Sequence, residues 1–367
     1  LYFLNGRFTS TKGDKNDYLM SKKPQDIKHY VTDFLNRLDS LNEQNISFVG
    51  YSRDYLLYLL KYKAHYVSIY QYIIEIVLKN TGVEIANAVF VDFGAGNGLL
   101  AMLARLLPFH RVLAIDVDEE FVEAARQTSG ILSIDEIEFI NGGEEVLTNL
   151  KNEDKTVIVA GTDVIEHIYD LTTFFNKLTQ ISTLSVTVFT TASNPENKRI
   201  VNRLMQLQRK EERIGGTSDD RALFGYTHKP FLELRKDIII ELRPSLDQNT
   251  LTQLVKVSRG LRKDDIQKMV EAYEKDGVFP TEMSHPTNTC HPVTGSWSER
   301  LVELNEYEDY YNLNGFALEI MNGFYDSGKG SYVRRLFVRV LNLLIKLIPV
   351  QTRRIAPFIL LVGTRKT

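Results

Sequence analysis

One cysteine, Cys290, stands among 367 residues, so no disulfide can form within the chain, and the count fits a reducing compartment. Charge of neither sign is in excess. Lys and Arg number 44 against 47 Asp and Glu, a net charge of −3, which gives no global pull toward nucleic acid or an acidic membrane. No basic patch with interleaved aromatics of the kind that binds RNA is present either. Long apolar runs are also missing. The nearest candidate, Leu336 to Val350, is interrupted by Arg339, Asn342 and Lys346, so no membrane span is expected. The opening residues, Leu1-Tyr2-Phe3-Leu4-Asn5-Gly6, show neither an initiator Met nor a signal-peptide core and read as a trimmed or extended start. The expectation from these absences is a cytoplasmic protein without a nucleic-acid partner. A hydrophobic content of 43% and a charged content of 25% are ordinary for a globular chain.

The stretch with the clearest chemistry is Val89-Phe90-Val91-Asp92-Phe93-Gly94-Ala95-Gly96-Asn97-Gly98-Leu99-Leu100. It reads as a short apolar strand, a glycine turn and the start of a helix whose free N–H groups face the turn. Glycines at 94, 96 and 98 allow a sharp turn and a close approach to a ligand. A second strand, Arg111-Val112-Leu113-Ala114-Ile115, ends in Asp116, where a neighbouring-strand carboxylate can hold a ribose diol. The order Asp-x-Gly-x-Gly-x-Gly departs from the Gly-x-Gly-x-x-Gly fingerprint of nicotinamide dinucleotide sites, which makes that cofactor the poorer fit.

With Asp92 ahead of the turn and Asp116-Val117 after the second strand, the sequence resembles the class I S-adenosylmethionine (SAM)-dependent methyltransferases. Asp163-Val164-Ile165-Glu166-His167-Ile168 resembles the segment after strand four in the small-molecule branch of that family. The resemblance covers about residues 86–194 and 310–367. It implies SAM as cofactor and S-adenosylhomocysteine (SAH) as product, held by Asp92, Gly94, Ala95, Gly96, Gly98, Asp116, Val117 and Asp163. The family commonly places an acid after strand three on the adenine amino group. Here that position falls on Gly143, so Glu144 is the candidate in its place.

Alternating patterns place strands at 89–93, 111–116, 136–140, 156–161 and 184–190, with helices at 98–107, 118–128, 143–150 and 170–180 between them. A last strand at 357–363 is antiparallel in the resembling family, inserted between strands five and six. The fold expected is α/β: a seven-stranded, mostly parallel, doubly wound sheet with N-terminal helices and a large, mainly helical insertion after strand five. The expected parts are an N-terminal helical segment 1–85, a SAM-binding Rossmann-like core 86–194, a helical insertion 195–309 and a C-terminal completion of the sheet 310–367. One long helix is expected from about 52 to 80, bearing Tyr62 and His65 as possible lid residues over an acceptor. A helix at 333–347 is expected to pack on the sheet as the last crossover, because a strand follows directly; the alternative for Leu336 to Leu347 is a helix lying on a membrane surface.

The insertion carries Arg199, Arg203, Arg209, Lys210 and Arg213 on its first helix, a solvated face or an anion funnel. Two loops within it are candidates for reading an acceptor: one with Tyr226 and His228, the other with His285, Asn288, His291 and Trp297. His285, Cys290 and His291 match no common zinc spacing, so no zinc is expected; a divalent metal held by Asp163, Glu166 and a histidine stays open without a motif that indicates it. The catalytic candidates are His167, Glu166 and His228. Histidine titrates near neutrality and suits removal of a hydroxyl proton, while the alternative is that Glu166 and His167 hold each other and the helix start. Asn194-Pro195-Glu196 is only a partial echo of the Asn-Pro-Pro-Tyr motif of amide methyltransferases. The acceptor class expected is a small molecule, methylated on oxygen or less readily on nitrogen, such as a sugar or secondary metabolite. A protein methyltransferase using the insertion as a groove, and a SAM-binding protein without catalysis, stay open.

Overall fold

Strand β1 (Ala88–Phe93) is buried along its whole length, as its nearly continuous apolar run requires of a strand covered on both faces. In the computed structural model, which describes residues 27–216 and 227–366, β1 lies inside a seven-stranded sheet, paired with a strand on each side. The order is β3-β2-β1-β4-β5-β7-β6, with β2 at Arg111–Asp116, β3 at Ile137–Asn141, β4 at Thr156–Thr162, β5 at Leu184–Thr191, β6 at Phe316–Asn322 and β7 at Ile359–Arg365. All pairings are parallel except those of β7, which runs antiparallel to both β5 and β6. This is the seven-stranded, mostly parallel sheet expected from the sequence, with its last strand antiparallel between β5 and β6. The strand order reverses between β1 and β4, and the carboxyl ends beside that switch are where such sheets take ligands.

Helices α1 (Lys28–Leu38), α2 (Tyr51–Lys61), α3 (Lys63–Asn80), α4 (Leu99–Leu106) and α5 (Glu119–Ile131) precede β3. Side chains of α1 to α4 share one apolar cluster with the Phe90, Ala114 and Ile158 face of the sheet. Helix α6 (Leu171–Thr179) and a later helix, Leu304–Leu313, pack with the opposite face through Phe174, Phe175, Tyr307 and Tyr311. The long helix expected from 52 to 80 is two helices. It breaks at Tyr62, whose φ of −117° and ψ of 22° leave the helical basin. The segment after β3 is a 3₁₀ turn, Glu144–Leu150, rather than an α-helix.

The insertion is built from α7 (Lys198–Arg213), α8 (Phe231–Leu242), α9 (Gln248–Val257) and α10 (Lys263–Asp276). It has an apolar cluster of its own, centred on Ile239, Leu254, Ile266 and Val270. Arg235 is fully buried there and grips Glu212 through two hydrogen bonds of 3.0 and 2.5 Å, with Thr289 Oγ1 donating to the same carboxylate at 2.8 Å. Glu212→Ala would leave a guanidinium buried without its counter-charge. It is expected to cost about 3–5 kcal/mol, read as a lower thermal midpoint, and an unchanged midpoint would exclude a structural role for the pair.

Helix α11 is Leu304–Leu313, and α12 is Tyr332–Leu347. The expectation that α12 packs on the sheet as a crossover is corrected. It joins β6 to β7, which are antiparallel neighbours, so no crossing of the sheet face is needed. Only Val338 and Ile345 of the helix are buried.

Candidate functional site

The turn after β1 is tied to β2 by backbone and side chain. Gly94 and Ala95 donate N–H to the Ile115 carbonyl at 2.9 and 3.0 Å, and Gly96 donates to Asp116 Oδ2 at 2.8 Å. Asp118 N donates to Asp116 Oδ1 at 2.9 Å. Each carboxylate oxygen therefore keeps lone-pair capacity for a diol. Burial raises the Asp116 pKa above its ordinary value, with these N–H groups working the other way. Asp92 is buried beneath the turn and accepts from Ala101 N at 3.0 Å through Oδ2, while its Oδ1 has no partner. Burial pushes Asp92 up to about 7 against that hydrogen bond.

Two glycines have different reasons to be there. A Cβ on Gly94, φ +70°, would lie 2.2 Å from Val164 Cγ2, so packing excludes one. A Cβ on Gly96, φ +51°, would meet nothing nearer than Phe121 at 4.0 Å, so that side of the turn is open to a ligand. Val117, beyond Asp116, is 74% exposed, an apolar contact for a flat ring at the ribose end. Asn141 binds the Asp116 and Val117 carbonyls at 3.1 and 3.0 Å, joining the β3 tip to β2. Glu144 is half-buried at the start of the turn that follows, where Glu145 rather than Glu144 accepts from Gly143 N at 2.7 Å. An unpartnered buried carboxylate oxygen, an open glycine face and a diol-ready aspartate fit SAM. Asp92 and Gly94 to Gly98 would lie at its amino-acid end, and Asp116 at its ribose.

Helices α2 and α3 cover this edge. Asn97 Nδ2 donates to the Ser52 carbonyl at 3.0 Å, and Ser52 N donates to Glu120 Oε1 at 2.8 Å. Tyr51 and Tyr55 meet Phe121 edge-on at 5.5 and 5.9 Å. Tyr66 and Tyr70 lie within electrostatic reach of the acids at this edge. Burial raises both hydroxyls, with Tyr58 and Asp163 adding at Tyr66, and Asp92 and Asp163 at Tyr70. Tyr62 and His65 instead face the segment after β6. Lys329 Nζ sits 4.5 Å from the Tyr62 ring centre, and His65 meets Phe324 at 5.9 Å. Burial lowers the His65 pKa. The sequence signal for Tyr66 and Tyr70 is their spacing of four and eight residues from Tyr62, one and two helical turns further on.

At the carboxyl end of β4, Asp163 has φ +48°, and its N–H reaches the Thr190 carbonyl and Oγ1 at 3.1 and 3.2 Å. Glu166 is fully buried. Its Oε1 accepts from Ala192 N at 3.1 Å, and its Oε2 has no partner. Burial, with Asp163 nearby, raises it to about 8. His167 Nδ1 lies 2.7 Å from the Trp297 carbonyl. A carbonyl only accepts, so Nδ1 carries the hydrogen, and Nε2 is the atom that can take a proton. Burial would lower the His167 pKa. The carboxylates of Glu299 and Glu166 outweigh it, with the Trp297 carbonyl, and raise it.

The loop from 284 to 300 is fastened over this segment. Trp297 N donates to the His167 carbonyl at 3.3 Å, Arg300 N to the Glu166 carbonyl at 3.2 Å, and Trp297 Nε1 to the Tyr169 carbonyl at 3.0 Å. Glu299, at φ +47°, accepts from Ser193 Oγ at 3.0 Å. Neither Glu299 nor Ser193 stands out in the sequence, because no spacing links them to His167.

The other acceptor candidates separate. Asn288 is buried with its amide engaged by Leu301 N and O, at 3.0 and 2.9 Å, and by Gln208 at 3.1 Å, so it frames the loop. His285 accepts Asn288 N at 2.9 Å, and burial lowers its pKa. His228 and His291 lie 6.4 Å apart around Phe231, inside the insertion. No described contact joins either to His167, and Tyr226 lies outside the described residues. Arg209 and Arg213 line a cavity of about 450 Å³ with Arg235, Lys236, Lys256 and Arg259, while Arg199 and Arg203 line a second of about 450 Å³ beside Tyr325. Among the described residues no group of three His, Cys, Asp or Glu is placed to hold a metal.

Residues 75–188 match the family model described as ribosomal protein L11 methyltransferase (PrmA). An uncharacterized protein of Methanocaldococcus jannaschii is 34% identical over 74 residues, 19% of this chain, and the chain spans 33% of that relative's length. Among solved structures, a SAM-dependent methyltransferase from Clostridium acetobutylicum superposes with a TM-score of 0.39 at 11% identity, covering 81% of this chain and 91% of that one. A geranyl diphosphate C-methyltransferase from Streptomyces coelicolor, solved with Mg²⁺, geranyl diphosphate and SAH, gives 0.39 at 11% identity, covering 92% and 98%. Overlaps this loose say nothing of acceptor or mechanism.

Proposed function

We propose that this chain, whose core is that of a class I SAM-dependent methyltransferase, transfers the methyl group of SAM to a hydroxyl of a small molecule such as a sugar or secondary metabolite. One arrangement carries the reading: a glycine turn bonded to Asp116 on one side of the switch, and His167 with a committed Nδ1 at the end of the next strand. Bound SAM supplies a methyl group already activated by its sulfonium. The chain's part is to hold the ribose on Asp116, align an acceptor hydroxyl, and take its proton on His167 Nε2. Helices α2 and α3 cover that edge on one side, and the 284–300 loop is fastened over the segment after β4 on the other.

Calorimetric titration with SAM, SAH and NAD tests the first half. Binding of SAM and SAH without NAD supports it, and binding of none by folded, ligand-free protein removes it. Asp116→Ala is expected to weaken both by about 10- to 100-fold, the loss of charge-assisted hydrogen bonds of ~1.5–3 kcal/mol. Unchanged affinity would remove the ribose assignment.

The matched family model is named for a protein methyltransferase, which favours a second reading, a protein acceptor laid along the insertion. Labelled methyl from SAM incorporated into the protein fraction of an extract, and not into its small molecules, would decide for it.

A further inference from the structure

Helix α12 turns its apolar side to solvent. Val333, Leu336, Phe337, Val340, Leu343 and Leu347 are each 51–75% exposed, and no other helix among the described residues exposes as many large apolar side chains. At helical pitch these six fall within an arc of about 120°. Val338 and Ile345, on the opposite side, are the buried residues that seat the helix. Its rotation is fixed. Asn342 accepts from Tyr325 N and donates to Tyr325 O, both at 2.8 Å, so the apolar arc cannot roll inward without breaking a paired amide. Its far end is held by Asn322 Nδ2 on the Pro349 carbonyl at 2.7 Å.

Arg335, Arg339 and Lys346 lie along one border of the arc by the same pitch. After Asp326 the chain has no further acid, while seven Lys and Arg stand between Lys329 and Arg354, in a chain whose net charge is −3. An apolar arc edged by cations is the composition of a helix lying in a bilayer interface. A second copy is a poor occupant, because a two-fold pairing would set cations against cations with no acid in the segment to meet them. No described helix is long and apolar enough to cross a membrane, so the helix would lie on the surface.

We propose that α12 seats this protein on an anionic lipid surface, with the apolar arc in the headgroup boundary and the basic border on lipid phosphate and carboxylate. The helix follows the carboxyl end of β6, which runs parallel to β5, so it leaves from the edge that carries the site. The segment between packs on Tyr62 and His65. If the methyltransferase reading holds, acceptors would reach the site from the lipid side. The membrane seat itself does not depend on that reading.

The test is flotation of the full chain with vesicles of phosphatidylcholine alone, and of equal parts phosphatidylcholine and phosphatidylserine, at low and high salt. The expected result is binding to the anionic vesicles at least about tenfold stronger than to the neutral ones, and weakened by salt. Leu336→Ser with Phe337→Ser should abolish flotation while SAH affinity and the thermal midpoint hold, because both side chains already face solvent. Arg335→Gln, Arg339→Gln and Lys346→Gln together should lower anionic binding by about tenfold or more and leave neutral binding alone. As a direct readout, Phe337→Trp emission should shift to the blue on adding anionic vesicles. A full chain that does not float with anionic vesicles overturns the proposal. So does an oligomer in gel filtration that Leu336→Ser splits into monomers, since the arc would then be an interface between copies.

Discussion

Gly96→Val is expected to fold and yet to lose SAM and SAH binding by about a hundredfold or more, as a branched side chain forced into a close contact costs up to ~3 kcal/mol, and more where it blocks the ligand. The structure separates this outcome from simple unfolding. A Cβ at Gly96 would meet nothing nearer than Phe121 at 4.0 Å, so the first atom of the new side chain clashes with nothing in the protein. The remaining cost is a β-branched residue at φ +51°, about 1–2 kcal/mol against a typical domain stability of about 5–15 kcal/mol. Gly94→Ala is the contrast. Its Cβ would stand 2.2 Å from Val164 Cγ2, so it should lower the thermal midpoint whether or not ligand is present. Melting both variants with and without SAH distinguishes them. Wild-type SAH affinity in Gly96→Val would place the cofactor elsewhere.

His167→Ala is expected to lower turnover by about 10²–10⁴-fold, the usual worth of a positioned base, with SAH affinity within a few fold. Added imidazole should restore part of the rate. The pH dependence carries a sign that a merely structural histidine would not give. The His167 pKa is raised, and a base works only when neutral, so the acid limb of turnover should lie above the ordinary 6.5. Activity should rise with pH through that limb. Glu299→Gln removes the carboxylate that contributes most to the rise, so the limb should move down, while kcat on the plateau changes less. A limb that stays in place in Glu299→Gln would end the electrostatic role given to Glu299. A fully active His167→Ala would move the base to another residue, and His228 would require the insertion to close by a motion not seen in the contacts it makes here.

The glycine-turn edge was legible because its geometry is local. A glycine turn, the acid before it and the acid at the next strand's tip are set by the strand–turn–helix geometry of a single βαβ unit. The parallel sheet followed from the alternation of strands and helices, whose crossovers are right-handed, and the antiparallel β7 was implied by the family resemblance. The break at Tyr62 was less legible, because the apolar pattern runs on through it and only the backbone at one residue departs.

The acceptor side was hidden for a different reason. His167 was named from its place after β4, but its tautomer depends on the Trp297 carbonyl and its basicity on Glu299, both brought from the far end of the insertion by chain folding. Asn288 shows the reverse case: a polar residue in a chemically rich loop whose amide turns out to be engaged in building that loop. Helix α12 shows the limit most clearly. Its sequence determined an amphipathic helix with a basic border, and the whole-chain charge of −3 concealed that no acid follows Asp326 in the chain. Which way the apolar arc faces was decided only by the tertiary structure. β6 and β7 pair directly as antiparallel neighbours, the sheet face is already covered, and the Asn342–Tyr325 bonds fix the helix with its buried stripe inward and its wide apolar side out. Periodicity can show that a helix has two faces, but what each face meets depends on which strands end up adjacent.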